Sequence, residues 1–342
     1  MSSKVGGWLA RLSDPQGMNM QWHSEPFSMS ETGLLETLVD DAGRHNVRPA
    51  MTSNLASLLR TVPDALLSGD AAWRKSEGDK LLSSANASRL LDVGRAMLLA
   101  SAASDILDAV ADAGLPVVLV KGVDFAENAY GGLNNRTFSD IDLLVRPDAE
   151  DNLGEILQIF GFTLHEPKER LIANTERQWT RADSFGGWIV VDVHTDMVHA
   201  PELRARQTLT YDLYADPRQG GVSPASRLVL AALHGATSHL FGRLQYVVDG
   251  LMIVRMGVDP AELRERALRS GAVLPVATLL RLAADLYGCQ ASAGLLQSLP
   301  PIRWSGLEKR LITGSMVVSA KDADRWRLLP QRFLYRRLLQ GP

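Results

Sequence analysis

The sequence predicts an α/β (α+β) protein, a β-sheet core set between an N-terminal and a C-terminal helical region. Three stretches carry that reading. Pro116-Val117-Val118-Leu119-Val120 is a β-branched run that ends at Lys121-Gly122. Asp140-Ile141-Asp142-Leu143-Leu144-Val145 is a second short run, with two carboxylates at the period of a strand. Trp188 to Met197 alternates polar and apolar residues, while the flanks on both sides carry the longer period of helices.

Residues 1–28 lack periodicity and are expected to form an irregular N-terminal arm. Residues 29–114 are expected to form a helical packing module, with Ser30 as a helix start and Leu34, Leu35 and Leu38 on one side. Its longest helix runs from about Asp79 to Asp112. Leu90, Leu91, Val93, Met97, Leu98, Ile106, Leu107 and Val110 trace its expected buried side, and Ala113-Gly114 ends it.

The core is assigned to residues 115–200. After the two apolar runs, Pro147-Asp148 opens a helix with Leu153, Ile156, Leu157 and Ile159 turned inward. Gly161 stops it and Phe162-Thr163-Leu164 begins another strand. Gln178-Trp179-Thr180 and Trp188 to Met197 read as two strands joined through Gly186-Gly187.

Residues 201–342 return to helical patterns and are assigned to a C-terminal helical domain. Ser223-Pro224, Leu244 to Met256, Asp259-Pro260 and Leu274 to Leu286 mark four helices. The tail from Arg303 is basic, with Trp326, Phe333 and Tyr335 between the charges. That composition suits a nucleic-acid or acidic partner. It suits better an amphipathic helix whose Leu328, Leu329, Leu334, Leu338 and Leu339 pack on the body while the arginines stay in water.

Composition narrows the function classes. A formal net charge of −3 offers no global attraction to nucleic acid or to an anionic membrane, and no DNA partner is expected. The single Cys289 excludes an intrachain disulfide framework. The first 30 residues do not read as a signal peptide, and no apolar run reaches the roughly 18 residues of a membrane span. A cytoplasmic location is expected.

Side chains alternate along a strand, so Asp140 and Asp142 share one face while Ile141, Leu143 and Val145 share the other. Adjacent buried anions repel, and a divalent cation resolves the conflict; Mg²⁺ favours carboxylates together with substrate phosphates. Asp-x-Asp alone also suits a solvated strand face. Asp192, with His194 and Asp196 on the same alternating face, adds a third carboxylate.

Together these residues resemble the uncharacterised bacterial nucleotidyltransferases of the DNA polymerase beta-like superfamily. The resemblance rests on Leu119-Val120-Lys121-Gly122, Tyr130-Gly131, Arg136, Ser139 to Val145, Asp192-Val193-His194, Arg243-Leu244 and Asp249, and spans about residues 85 to 260. Lys121-Gly122 stands where the superfamily usually has Gly-Ser, so the usual phosphate-contacting hydroxyl is absent there. The resemblance implies a nucleotidyltransferase fold with a mixed β-sheet core. It also implies transfer of a nucleotide monophosphate, AMP from ATP by default, to an unidentified acceptor with release of pyrophosphate. The acceptor classes are a small molecule, a peptide or an RNA.

Carried onto this chain, Asp140, Asp142 and Asp192 are catalytic and hold Mg²⁺, with Mn²⁺ as an alternative. Lys121, Gly122, Arg136 and Ser139 are the nucleotide-binding set, with Arg136 a candidate clamp on the triphosphate. His194 is an acceptor-side candidate. His234 and His239 are packing residues, and Arg243 with Asp249 lines the base pocket or joins the two domains. Two alternatives stand beside this: an inactive nucleotide-binding or regulatory protein of the same fold, and a hydrolase or phosphotransferase with a different scissile bond.

Overall fold

Five strands form one mixed sheet ordered β1-β2-β5-β4-β3. They are β1 (Val117–Val120), β2 (Ile141–Val145), β3 (Thr163–His165), β4 (Glu176–Ala182) and β5 (Trp188–His194). The strand β2 runs antiparallel to β1 and parallel to β5, while β4 runs antiparallel to both β5 and β3. The computed structural model describes residues 2–17, 34–61, 71–165, 175–215, 221–302, 311–319 and 330–340. Fifteen α-helices lie among the described residues.

Strand alternation divides the sheet into two unlike faces. Ile141, Leu143 and Val145 of β2 join Val191 and Val193 of β5 in one buried cluster with helices α4 (Ala71–Asp112) and α6 (Glu150–Ile159). Val120 and Leu144 point the other way, into a second cluster built with the C-terminal helices. Asp142 shares that second face.

Helix α4 meets the sheet through Ala96, Leu99, Ala103, Ile106 and Val110, a three-four spacing that draws one stripe. Ile106 and Val110 are buried as expected, and the rest of the expected face is corrected. Leu90, Leu91 and Met97 are 71%, 77% and 60% exposed. Small alanines at Ala96, Ala102 and Ala103 let the helix lie close to the sheet, while Leu90, Leu91 and Met97 lie on its outer side. Ile159, expected inward, is exposed at the end of α6, whereas Leu153 and Leu157 are buried as expected.

The N-terminal residues also differ from expectation. Ser2–Leu12 form helix α1, with Leu9 and Leu12 fully buried, where an irregular arm was expected. Residues 18–33, including the Ser30 helix start, lie outside the described residues. Asp14 takes both Nη1 and Nη2 of Arg255, at 2.6 and 2.8 Å, and the hydroxyls of Ser13 and Tyr287 meet at 2.8 Å. Arg255 ends α10 (Leu244–Arg255) and Tyr287 ends α12 (Val273–Tyr287). Helices α1, α2 (Leu34–Arg44) and α3 (Arg48–Thr61) therefore share one core with the C-terminal helices. The N-terminal and C-terminal helical regions are separate in sequence and continuous in space.

The last helix, α15 (Pro330–Gln340), packs through Arg332, Tyr335 and Leu339, while Phe333 and Leu334 are exposed. Leu339 packs as expected, Leu334 does not, Leu328 and Leu329 lie outside the described residues, and not every arginine stays in water. Arg332 is fully buried, donates to the Phe241 carbonyl at 3.4 Å, and is pushed down to about 8 by burial. Residues 303–310 and 320–329 of the tail lie outside the described residues.

His45 shows how the N-terminal helices dock. Its Nδ1 accepts the backbone N–H of Leu244 at 3.1 Å, satisfying a donor at the start of α10. Burial, aided by Arg44 and Arg243, lowers its pKa from 6.5 to about 4, so the fold holds the neutral ring. An unfolded chain binds that proton near 6.5, so this contribution is intact above 6.5 and lost as pH falls towards 4. We expect wild type to lose up to roughly 3 kcal/mol more than His45→Asn between pH 7 and pH 4.5, measured by urea denaturation. Equal losses in the two proteins would remove His45 from this role.

Candidate active site

The site face is assembled by strand register. Val120 of β1 pairs with Asp142 of β2, and Asp142 pairs across the parallel ladder with Asp192 of β5. On the far side of β5, Asp192 faces Gln178 and His194 faces Glu176 of β4. Asp140 lies in the bend just before β2. The backbone of Lys121 turns sharply at φ 52° and ψ −126°, a conformation costly for a residue with a Cβ. That turn returns the lysine over the end of the sheet.

Asp142 is the buried centre of this face. Its Oδ1 accepts from Lys121 Nζ at 2.6 Å and from His194 Nε2 at 2.9 Å. Burial by itself would raise its pKa, but Lys121 and His194 outweigh it and hold the carboxyl well below the usual range. Its neighbours behave oppositely. Burial and then the charge of Asp142 push Asp140 up. Asp192 is pushed up to about 6, chiefly by burial, against the Gln178 amide that donates to its Oδ1 at 3.0 Å. The charges of Asp142, Glu176 and Asp140 raise it further.

A sheet face of three carboxylates and one lysine has an excess of negative charge. Oxygen donors in that setting suit a hard cation such as Mg²⁺, which answers the raised affinity of Asp140 and Asp192 for protons.

The chain matches the sequence model of a family described as uncharacterised nucleotidyltransferase over residues 36–288. It belongs to that family. No curated protein and no solved structure matches the chain. The five-stranded mixed sheet with flanking helices is consistent with a nucleotidyltransferase fold. Family membership implies transfer of a nucleotidyl group and a nucleotide substrate. No helix among the described residues is long and apolar enough to cross a membrane.

Within this nucleotidyltransferase the remaining expected site residues do not all converge. Gly122 opens the short helix α5 (Gly122–Asn128), and a Cβ there would lie 3.2 Å from the Asp140 carbonyl oxygen. Glycine lets that turn lie tight against the start of β2. Ser139 is exposed, and only its carbonyl is bonded, to Arg95 at 3.5 Å. Arg136 departs furthest from expectation. Its Nε and Nη2 donate to Asp249 at 2.8 and 2.9 Å, and its Nη1 reaches the Gly122 carbonyl at 3.4 Å. Tyr130 adds its hydroxyl to Asp249 at 2.7 Å. The planar fork is thus matched to a carboxylate of α10 rather than presented to a triphosphate. Asp249 thereby ties α10 to the segment before β2. A second tie, Asp124 of α5 to Arg227 of α9 (Pro224–Leu233), had no sequence signal.

His234 and His239 flank a π-helical turn after α9, and their rings lie 4.7 Å apart. His239 stacks on Tyr246 at 4.6 Å. Among the described residues, one set of three metal-ligating side chains brings its donor atoms within 4.8 Å of one another: Glu176, His194 and His199. The three aspartates do not form such a set. Glu176, Gln178 and His199 were missed in the sequence. The first two alternate on β4 and were within reach of the pairing argument applied to β5.

The Arg136–Asp249 pair makes a clear prediction. Arg136→Ala leaves a buried carboxylate without its cation and should destabilise the fold by roughly 3–5 kcal/mol. Denaturant unfolding measures this directly. A change below about 1 kcal/mol would mean that the guanidinium is spare, as a ligand-binding arginine would be.

Proposed function

We propose that this nucleotidyltransferase moves a nucleotide monophosphate, AMP from ATP by default, onto a hydroxyl or phosphate acceptor with release of pyrophosphate. The observation that carries this reading is the direct pairing of Asp142 with Asp192 in the β2–β5 ladder, with Asp140 two residues away at the strand entrance. Asp140 and Asp142 would hold Mg²⁺, or Mn²⁺ in its place, with Asp192 nearby. A bound cation there would neutralise the triphosphate and favour departure of pyrophosphate.

The chain's own residues supply the rest. Lys121 brings a cation to the turn, and Gly122 lets the backbone approach a phosphate. Asp192, raised towards neutrality, suits the role of proton acceptor for the incoming hydroxyl. The acceptor oxygen bonds to the α-phosphorus as the bond from that phosphorus to the bridging oxygen breaks. The proton passes to Asp192. Arg136 is left out of this set, since its fork is engaged by Asp249. His194 acts through Asp142, orienting it by the 2.9 Å hydrogen bond. The acceptor is a small molecule, a peptide or an RNA end.

One observation favours a second reading. Lys121 and His194 together hold Oδ1 of Asp142, an arrangement that also suits a nucleotide-binding protein without transfer activity. The two readings separate in the aspartate variants. Asp140→Asn and Asp142→Asn should abolish turnover and sharply weaken Mg²⁺-dependent ATP binding. Asp192→Asn should cut turnover by at least about a hundredfold while keeping much of the binding. Calorimetry with Mg-ATP and a pyrophosphate-release assay across the three acceptor classes measure both. Binding without pyrophosphate in wild type would favour the second reading. Orthophosphate or diphosphate as product would instead mean a different scissile bond.

A further inference from the structure

The geometry points to a separate transition-metal site, for Zn²⁺ in first place, built by Glu176, His194 and His199. None of its ligands is among the three aspartates, although His194 is also bonded to Asp142. Glu176 begins β4 and His194 ends β5, paired directly across the antiparallel ladder. His199 follows on a segment fixed by the buried Asp196, whose Oδ1 accepts the backbone N–H groups of Val198 and Leu209 at 2.9 and 3.0 Å. The ligands thus come from two strand ends and one anchored turn, a rigid frame for a metal.

Donor identities and distances agree with that assignment. Glu176 Oε2 lies 3.3 Å from His199 Nδ1 and 4.0 Å from His194 Nδ1. Ligands of a tetrahedral zinc, with bonds of about 2.0–2.1 Å, stand roughly 3.3–3.4 Å from one another. One edge already has that length, a second needs closure of under about 1 Å, and all three donor atoms lie within 4.8 Å of one another. Two imidazoles and one carboxylate make a three-ligand set that leaves a fourth position for water or substrate. His199 and Glu176 are partly exposed, so the site has an open side.

The second, independent observation is the state of His194. The residue is 1% exposed, its Nδ1 is buried, and that nitrogen makes no hydrogen bond. With Nε2 bonded to the carboxylate of Asp142, the neutral ring has its proton on Nε2 and a lone pair on Nδ1. That lone pair faces the oxygen of Glu176 and the ring of His199, whose own Nδ1 also makes no hydrogen bond. His194 Nδ1 and the Glu176 carboxylate are both acceptors, 4.0 Å apart, and a cation between them removes that conflict. A carboxylate hydrogen-bonded to the far nitrogen of a metal-binding histidine is a common supporting arrangement. Here that carboxylate is Asp142. An ion on Nδ1 would therefore fix the tautomer of His194 and, through it, the orientation of Asp142.

Full-length protein stripped with a chelator and titrated with Co²⁺ as a spectroscopic probe, then with Zn²⁺ in competition, tests this. The expected result is one equivalent of Co²⁺ with visible absorption bands, displaced by Zn²⁺ and resistant to excess Mg²⁺. His199→Ala and Glu176→Gln should each weaken Co²⁺ binding by more than about a hundredfold, since even supporting residues cost ten- to a hundredfold. Their thermal melts in chelator should match wild type, which shows that the fold survives. Asp140→Asn should leave Co²⁺ binding intact, separating this ion from the carboxylate site. The proposal is overturned if wild type takes up no stoichiometric Co²⁺. It is equally overturned if His199→Ala and Glu176→Gln bind like wild type, or if Asp140→Asn abolishes binding.

Discussion

A carboxylate buried in a β-sheet must be matched by positive charge or hydrogen-bond donors, and the matching of Asp142 organises this protein. Lys121 and His194 meet on one oxygen of that residue. To bring the lysine there, the chain adopts a strained turn directly after β1. To bring the histidine there, β5 must lie parallel beside β2, which also sets Asp192 opposite Asp142. One buried charge therefore accounts for a backbone conformation, a strand pairing and the electrostatics of its neighbours. Lys121 offsets the charge of Asp142, while Asp140 and Asp192 are left to hold protons more tightly than usual.

The helices are positioned around this sheet by a few buried ion pairs. Arg136–Asp249, Asp124–Arg227 and Asp14–Arg255 each join segments far apart in sequence. Such pairs add little net stability over well-packed apolar residues, because desolvation offsets most of their attraction. Breaking one is costly, so they specify orientation more than they add strength. Two of the three start within the segments that flank Lys121 and Asp140. The position of α9 and α10 over the site face is thereby coupled to the same turns that place the catalytic candidates.

Local patterns in the sequence were sufficient for the strands and the carboxylates. Period-two alternation marked Asp140, Asp142 and Asp192, and Ser223-Pro224 and Asp259-Pro260 marked helix starts whose caps the structure contains. Long-range pairing was not legible. Arg136 has the same local appearance whether it meets a phosphate or Asp249, which lies on α10 far along the chain. The buried side of α4 was misassigned in its first half, where Ala96 and Leu99 make the contact and Leu90, Leu91 and Met97 face out, and was right at Ile106 and Val110. His199 sits in no periodic element, so nothing local connected it to Glu176 and His194.

In the proposed function, nucleotide and metal engage Asp140 and Asp142 beside the Lys121-Gly122 turn. A crystal structure of the protein with Mg²⁺ and an ATP analogue whose α,β bridge resists cleavage tests it most directly, because it needs no acceptor. The expected result is a cation on Asp140 and Asp142, with the triphosphate against the Lys121-Gly122 backbone and Asp192 facing the α-phosphorus. A nucleotide bound elsewhere, or bound here with no cation on either aspartate, would contradict the account.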